Sequence, residues 1–532
     1  MTATDTFAPP EAPPPGRRPG ELGVRELLRW SWRQLTSMRT ALVLLLLLAL
    51  AAVPGSVIPQ EDVDSLDATR WKEAHETLTP IYERLGLFDV YGSPWFAAIY
   101  LLLVASLVGC IVPRTMVYAR AIRKPPPAAP RNLSRLPDHT TYRTDAEPAA
   151  VLAAARAVLK RRGYRLRAEE DGPDPTAMSA VSAERGYLRE VGNLLFHLAV
   201  LVVLLGFALG GLFGYKGGVI LVTGTPFANN PTQYDEFVPG SLFQADRMDD
   251  FRFTVDDFDV EWTTDGPRMG MARNFNADVR YREGDGEEEQ YDLRVNHPLK
   301  IGGTELFLIG HGYAPVVTVR DGDGEIAYSG PTVFLPQGPD LLSFGVIKAP
   351  DAQPSQIGLE GFLYPTFILA DGNPRNLYGA ADNPLISLNV WTGDLNMDTG
   401  QSQSVYVLDK SKAEAVPGKN GQPYRIDLSI GETAELPDGL GSVTFEDMYS
   451  WQRIQISQTP GKQIALAGVV LALIGLMGSL FIRSRRVWVR ATVTDVEGRA
   501  ETMVEVAGLE RSGGGDLRSV LDDLVEDLKG KS

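Results

Sequence analysis

One histidine, His197, stands in the middle of an otherwise apolar run from Val191 to Leu212, VGNLLFHLAVLVVLLGFALGGL. The run has 22 residues, about 33 Å as a helix, so it can cross a hydrocarbon core of roughly 30 Å. Burying an ionisable ring among Leu and Val costs free energy, which makes function the default reading of such a residue. A neutral imidazole is a common axial ligand for haem iron and for other metals. Asn193 falls one turn earlier on the same helix face. The pair has two readings: a hydrogen-bonded packing seam against another helix, or a ligand with the neighbour that orients it.

Little other chemistry is spelled out along the chain. The remaining histidines, His75, His139, His297 and His311, are scattered singly and lie outside every apolar span. If His197 binds haem between two imidazoles, the second must come from another polypeptide. Cys110 is the lone cysteine, so an intramolecular disulfide, a CxxC redox pair and a thiolate metal cluster are all excluded. No nucleophile elbow, HExxH, phosphate-binding loop or dinucleotide fingerprint is present. DGDGE at 321 to 325 superficially suggests a calcium loop, but Ile326 stands where an EF-hand requires Gly. Gly206, Gly210 and Gly214 form a small-residue stripe suited to close helix contact, and Gly468, Gly475 and Gly478 recur in a later span. The first stripe is the expected contact with a partner membrane protein.

The elements that must position these residues follow from hydropathy. Four segments are long and apolar enough to span a membrane: 39–58, 94–112, 191–212 and 463–482. ALA at 49 to 51 resembles a cleavage site, but nearly 40 residues precede the first span, so an uncleaved anchor is expected. The leader through Arg39 carries six Arg and no Lys, and Trp30 and Trp32 mark interface depth. Arg114, Arg120, Arg123 and Lys124 follow the second span, Arg185 and Arg189 precede the third, and Arg483, Arg485, Arg486 and Arg490 follow the fourth. The positive-inside rule then places both termini and the 113–190 loop in the cytoplasm of a multi-pass plasma-membrane protein. Residues 59–93 and 215–462 fall outside. The larger outer segment has 18 Lys and Arg against 36 Asp and Glu, a net of −18 in a chain whose total is −16. Such a surface repels nucleic acid and attracts basic partners in a salt-dependent way.

The expected fold class is a membrane protein of α+β type, with a small cytoplasmic α/β module and a large extracytoplasmic β-sandwich-like domain. Residues 1–36 read as a Pro-rich disordered leader with an amphipathic tip. Within 113–190, EPAAVLAAARAVLKRR at 147 to 162 predicts a helix stopped by Gly163, and 164–167 and 180–182 predict short strands around a DGPD turn. FRFTVDDFDVEW at 251 to 262 alternates, with a phase change at Asp256 and Asp257 that predicts a bulge. The runs 276–282 and 290–296 predict a hairpin, and DGDG predicts a turn between two further strands. One sandwich or a pair of sandwich-like lobes accounts for this punctuation. Residues 483–532 predict a hairpin about Glu497 and Gly498, a Ser-Gly-Gly-Gly linker, and a helix with Asp516 as N-cap and Leu517, Val520, Leu521, Leu524 and Leu528 on one face.

Four stretches carry a resemblance. SMRTALVLLLLLALAAVPGSVIPQ at the first span, REVGNLLFHLAVL at the third, VNHPLKIGGTELFLIGHGYAP outside and RRVWVR after the fourth resemble the ResB (CcsB) family of cytochrome c biogenesis proteins. The resemblance covers nearly the whole chain apart from the leader. It implies haem b as a transported, non-covalent ligand, with His197 as its axial ligand. It also implies a ResC (CcsA)-like membrane partner, apocytochrome c with its CxxCH motif as acceptor, and thiol-reducing proteins on the outer side. The Trp-rich motif and external histidine ligands of such complexes belong to the partner, so His297 and His311 inherit no role and no residue here is expected to make or break bonds. A membrane-anchored extracytoplasmic receptor without haem is the alternative from another class, and the absence of any kinase, cyclase or DNA-binding signature inside counts against it.

Overall fold

A computed structural model of the chain describes residues 23–61, 63, 65–168, 180–370, 373–396, 405–418, 421–496, 499–510 and 516–530. The leader at 1–20, the DGPD turn, the Glu497–Gly498 turn and the glycine linker therefore lie outside the described residues. The chain divides into two bodies, residues 1–207 with 462–532, and residues 208–461. Mixed α and β structure with four long apolar helices bears out the expected fold class.

Nine α-helices are described. Helix α1, Val24–Leu35, leaves Leu27, Leu28, Trp30 and Trp32 exposed, the composition of a helix lying in a membrane interface. The four apolar helices are α2, Met38–Val57, then α5, Pro94–Ala121, α7, Arg189–Phe213, and α8, Lys462–Phe481. Between α2 and α5 lie the short helices α3, Ser65–Ala74, and α4, Thr79–Arg84. The two capped starts follow from sequence: the Ser37 hydroxyl accepts from the Thr40 amide at 3.2 Å, and Ser93 does the same for Phe96 ahead of Pro94. Helix α5 runs nine residues past Val112, the expected end of the second span. Hydropathy marks where a helix leaves lipid, and the polar turns from Arg114 to Ala121 continue the same helix beyond that point.

Helices α7 and α8 meet backbone to backbone. A Cβ added to Gly475 would lie 2.5 Å from the Phe196 amide nitrogen, and one on Gly192 would lie 2.5 Å from that of Ser479. Glycine permits this approach because lipid offers no hydrophobic drive and close packing must supply the attraction.

The same body holds a five-stranded antiparallel sheet in the order Asp138–Thr144, Arg499–Glu510, Arg485–Val496, Ala180–Arg185, Arg165–Leu166. Helices α6, Pro148–Arg161, and α9, Leu517–Lys529, cover it. Val151, Val158 and Leu159 of α6 join Leu517, Leu521, Leu524 and Leu528 of α9 and the strand residues Val487, Val489, Val504 and Val506 in one core. Arg162 donates to the Asp527 carboxylate at 2.7 Å, tying the end of α6 to α9. Segments 113–190 and 483–532 are thus one folded unit. The reason is nonlocal: Ala180–Arg185 pairs with Arg485–Val496 across some 300 residues of chain, which no local pattern reports.

The second body is built on a long antiparallel pair, Thr304–Arg320 and Gly441–Gln458. One half of the pair faces a four-stranded sheet containing Phe251–Trp262, Ala272–Glu283 and Glu288–Arg294, around Phe251, Phe253, Leu293, Leu306 and Ile454. The other half faces a six-stranded sheet containing Ser343–Ala349, Gln356–Tyr364 and Leu385–Asp394, around Phe334, Leu359, Ile386 and Phe445. Two sandwich lobes therefore share one ribbon. The register shifts between Val255 and Asp257, which is the expected bulge. In the DGDG turn the buried Asp321 accepts from the amides of Asp323 and Glu325 at 3.0 Å and of Gln353 at 3.1 Å. Its carboxylate is spent on the chain itself, and among the described residues no acidic or histidine cluster suited to a metal is found.

Candidate functional site

The helical period of α7 places Glu190, Asn193, His197, Leu201 and Leu204 in one narrow strip. Both ends of the strip are tied to α5. The Glu190 carboxylate lies 3.5 Å from Arg114, and the Tyr100 hydroxyl donates to the Leu204 carbonyl at 2.9 Å. His197 stands seven residues from each tie, about 10 Å along the axis. The opposite strip of α7, Gly192, Phe196, Ala199 and Val203, packs against α8 at Gly475 and Gly468. The imidazole is therefore turned to the α5 side of a helix whose other side is closed.

His197 makes no hydrogen bond among the described residues, and the Phe196 ring meets it edge-on at 5.3 Å. Asn193 Oδ1 is buried without a partner. Neither side chain bonds to a neighbouring helix among the described residues. An unengaged imidazole and an orphaned amide oxygen thus stand one turn apart, and a ring nitrogen of such an imidazole can bind a metal.

Gly206, Gly210 and Gly214 each have neighbours within this chain or are buried. Gly206 is buried, a Cβ on Gly210 would meet Thr459 at 3.1 Å, and one on Gly214 would meet the Gln458 carbonyl oxygen at 2.4 Å. Residues 458–460 approach the end of α7 at Gly210 and Gly214, a closeness invisible in the local pattern.

The other histidines are placed apart from this site. His75 stacks on Trp71 at 4.2 Å and shares a hydrogen bond with its carbonyl. The His139 ring reaches the Leu136 carbonyl at 3.2 Å. His297 is exposed in a turn. His311 lies against Phe258, Trp262 and Phe275, with ring centroids 5.4, 6.5 and 5.1 Å away. Burial among these rings pushes its pKa down to about 4.

A feature absent from the sequence reading is a cavity of about 540 Å³ at the Arg189 end of α7. Tyr118 from α5, Lys124 from the following linker, Arg165 and Arg486 from the sheet, and Tyr187 and Arg189 ahead of the span all line it. The only signal in the sequence was the clustering of Arg and Lys near the span ends, read there as topology alone.

Cytochrome c biogenesis protein CcsB of Synechococcus sp. (strain JA-3-3Ab) is 26% identical over 339 residues, which span 60% of this chain and 65% of that protein. The protein of the same name from Gloeobacter violaceus is 23% identical over 461 residues, 85% of this chain and 83% of the relative. That from Thermosynechococcus vestitus is 26% identical over 288 residues, 53% and 60% of the two chains. The first relative is thus covered over slightly less than two thirds of its length. The ResB-like family matches residues 38–522, a stretch that takes in all four apolar helices, both β-rich bodies and His197, and the chain belongs to that family.

Proposed function

We propose that this chain is a subunit of a membrane complex that exports haem and attaches it to cytochrome c. The reading is carried by His197, an imidazole without a hydrogen-bond partner among the described residues, set midway along an apolar helix between two ties to α5. The names of the relatives agree with it. Haem is here the cargo. His197 supplies one axial nitrogen, and the orphaned Asn193 oxygen one turn earlier is an acceptor left open beside the cargo.

No second histidine lies in an apolar span of this sequence, so a ResC (CcsA)-like membrane partner provides the other ligand and the groups that join haem to the apocytochrome. The chain makes no bond by itself. With both termini cytoplasmic, haem enters from the Arg189 end of α7 and leaves toward the outer side, where the acidic segment 215–462, net −18, draws a basic apocytochrome c near. Attachment requires reduced CxxCH thiols, which this chain cannot supply, so thiol-reducing proteins act on the outer side.

The test is His197→Ala in the complex purified with its partner. Haem content, read from the Soret band, should fall while the protein stays in the membrane, and added imidazole should restore part of the band by refilling the vacant position. Unchanged haem and unchanged cytochrome c maturation would reduce His197 to a packing residue. A receptor of the same architecture would purify without colour.

A further inference from the structure

We propose that the cavity at the Arg189 end of α7 is the loading site at which haem is first held, by its two propionate carboxylates; this rests on the haem-carrying reading of His197. Charge is the first argument. Four cations line the cavity, Lys124, Arg165, Arg189 and Arg486, against two carboxylates, Glu184 and Glu190. Both carboxylates are already engaged, Glu184 by Arg486 at 3.0 Å and Glu190 by Arg114 at 3.5 Å. Arg165 turns its terminal nitrogens to the carbonyls of Ile122 and Lys124 and lies 3.9 Å from the Glu184 carboxylate, and its buried Nε has no acceptor. Lys124 and Arg189 have no carboxylate partner among the described residues, the Arg189 Nε donating to the Ser479 carbonyl at 3.2 Å. Two unneutralised cations and an orphaned guanidinium nitrogen in one cavity call for a dianionic group.

The rest of the lining suits the body of the same molecule. Tyr118 and Tyr187 line the cavity, the Arg165 guanidinium lying over the Tyr187 ring, and Ala121, Ile122, Pro125 and Pro127 complete an apolar wall. The volume lies within the usual range for small-molecule sites, about 300 to 1,000 Å³. A flat apolar ring bearing two carboxylates fits this mixture of walls.

Position supplies the last argument. Glu190 lines the cavity and also begins the α7 strip that continues through Asn193 to His197, about 10 Å further along the axis. A phospholipid headgroup would share the anionic chemistry, but it has no use for a polar strip leading to an imidazole. Haem held by its propionates at the cavity lies at the foot of that strip.

The probes are iron protoporphyrin IX and its dimethyl ester, which lacks the two negative charges, titrated into the purified full chain in nanodiscs of neutral phosphatidylcholine. The wild type should prefer the free acid. Lys124→Ala combined with Arg189→Ala should weaken binding of the free acid about tenfold, leave the ester unchanged, and leave the Soret position of the loaded protein unchanged. Lys124→Ala alone, at an exposed position, should give part of the same loss without risk to folding. Equal losses for acid and ester, or none for either, would overturn the proposal. If phosphatidylglycerol in the nanodiscs abolishes the preference in the wild type, the cavity belongs to a lipid headgroup and the proposal also fails. His197→Ala separates the two readings: it should alter the Soret spectrum while keeping the preference for the acid. An unaltered spectrum there, with the cavity variants still losing acid binding, would remove the axial-ligand reading and leave the carboxylate site standing.

Discussion

Gly475→Ala is the substitution through which the α7–α8 contact can be tested most directly. The added Cβ would lie 2.5 Å from the Phe196 nitrogen and 2.8 Å from the Gly192 carbonyl oxygen, whereas ordinary contact begins at 3.4 Å. Both obstacles are backbone atoms of a regular helix, so no side chain can rotate out of the way. The two helices must part by roughly 1 Å, and overpacking of this kind typically costs about 1–3 kcal/mol. Because His197 sits on the opposite strip of α7, the displacement pushes its ring toward α5 and away from the position held by the Tyr100 and Arg114 ties. Thermal unfolding in detergent should show a lower midpoint, and the purified complex should retain less haem. Gly211→Ala is the control, since nothing lies within 4 Å of a Cβ there, and Ala favours the helix by roughly 1 kcal/mol. A Gly475→Ala protein as stable as the wild type, with full haem content, would refute the close backbone contact and its role in placing His197.

Three further outcomes are expected. His311 has a pKa held near 4 in the folded protein against 6.5 for the free side chain; the unfolded chain therefore binds the extra proton first, and stability present above pH 6.5 is lost as pH falls toward 4, by up to about 3 kcal/mol. His311→Phe should flatten this part of the stability profile, and an unchanged slope would show that the aromatic cage does not exclude the charged ring. Asp321→Ala should destabilise the acidic body by about 2–4 kcal/mol, because three amide donors lose their acceptor, while added calcium should not shift wild-type unfolding. Apocytochrome c binding should weaken steadily as salt rises, since screening shortens the field of the acidic body to about 8 Å at physiological ionic strength; a flat response would point to recognition along a strand edge.

What the amino-acid order determined by itself was everything that depends on short-range periodicity. The four apolar helices, the lone imidazole among them, the bulge at Asp256 and the acidic outer segment could all be read from runs of a dozen or two residues, because hydropathy and charge act through local composition. The apolar face of α9 was legible for the same reason, as was the DGDG turn. The tertiary structure alone decided what these pieces face. The C-terminal hairpin supplies the central strands of a sheet begun some 300 residues earlier, and Gly210 and Gly214 after His197 meet residues 458–460. The cavity collects Tyr118, Lys124, Arg165, Arg189 and Arg486 from separate segments. Each of these depends on pairing between distant residues, where one strand or helix end has many acceptable neighbours and only the packing of the whole body chooses among them.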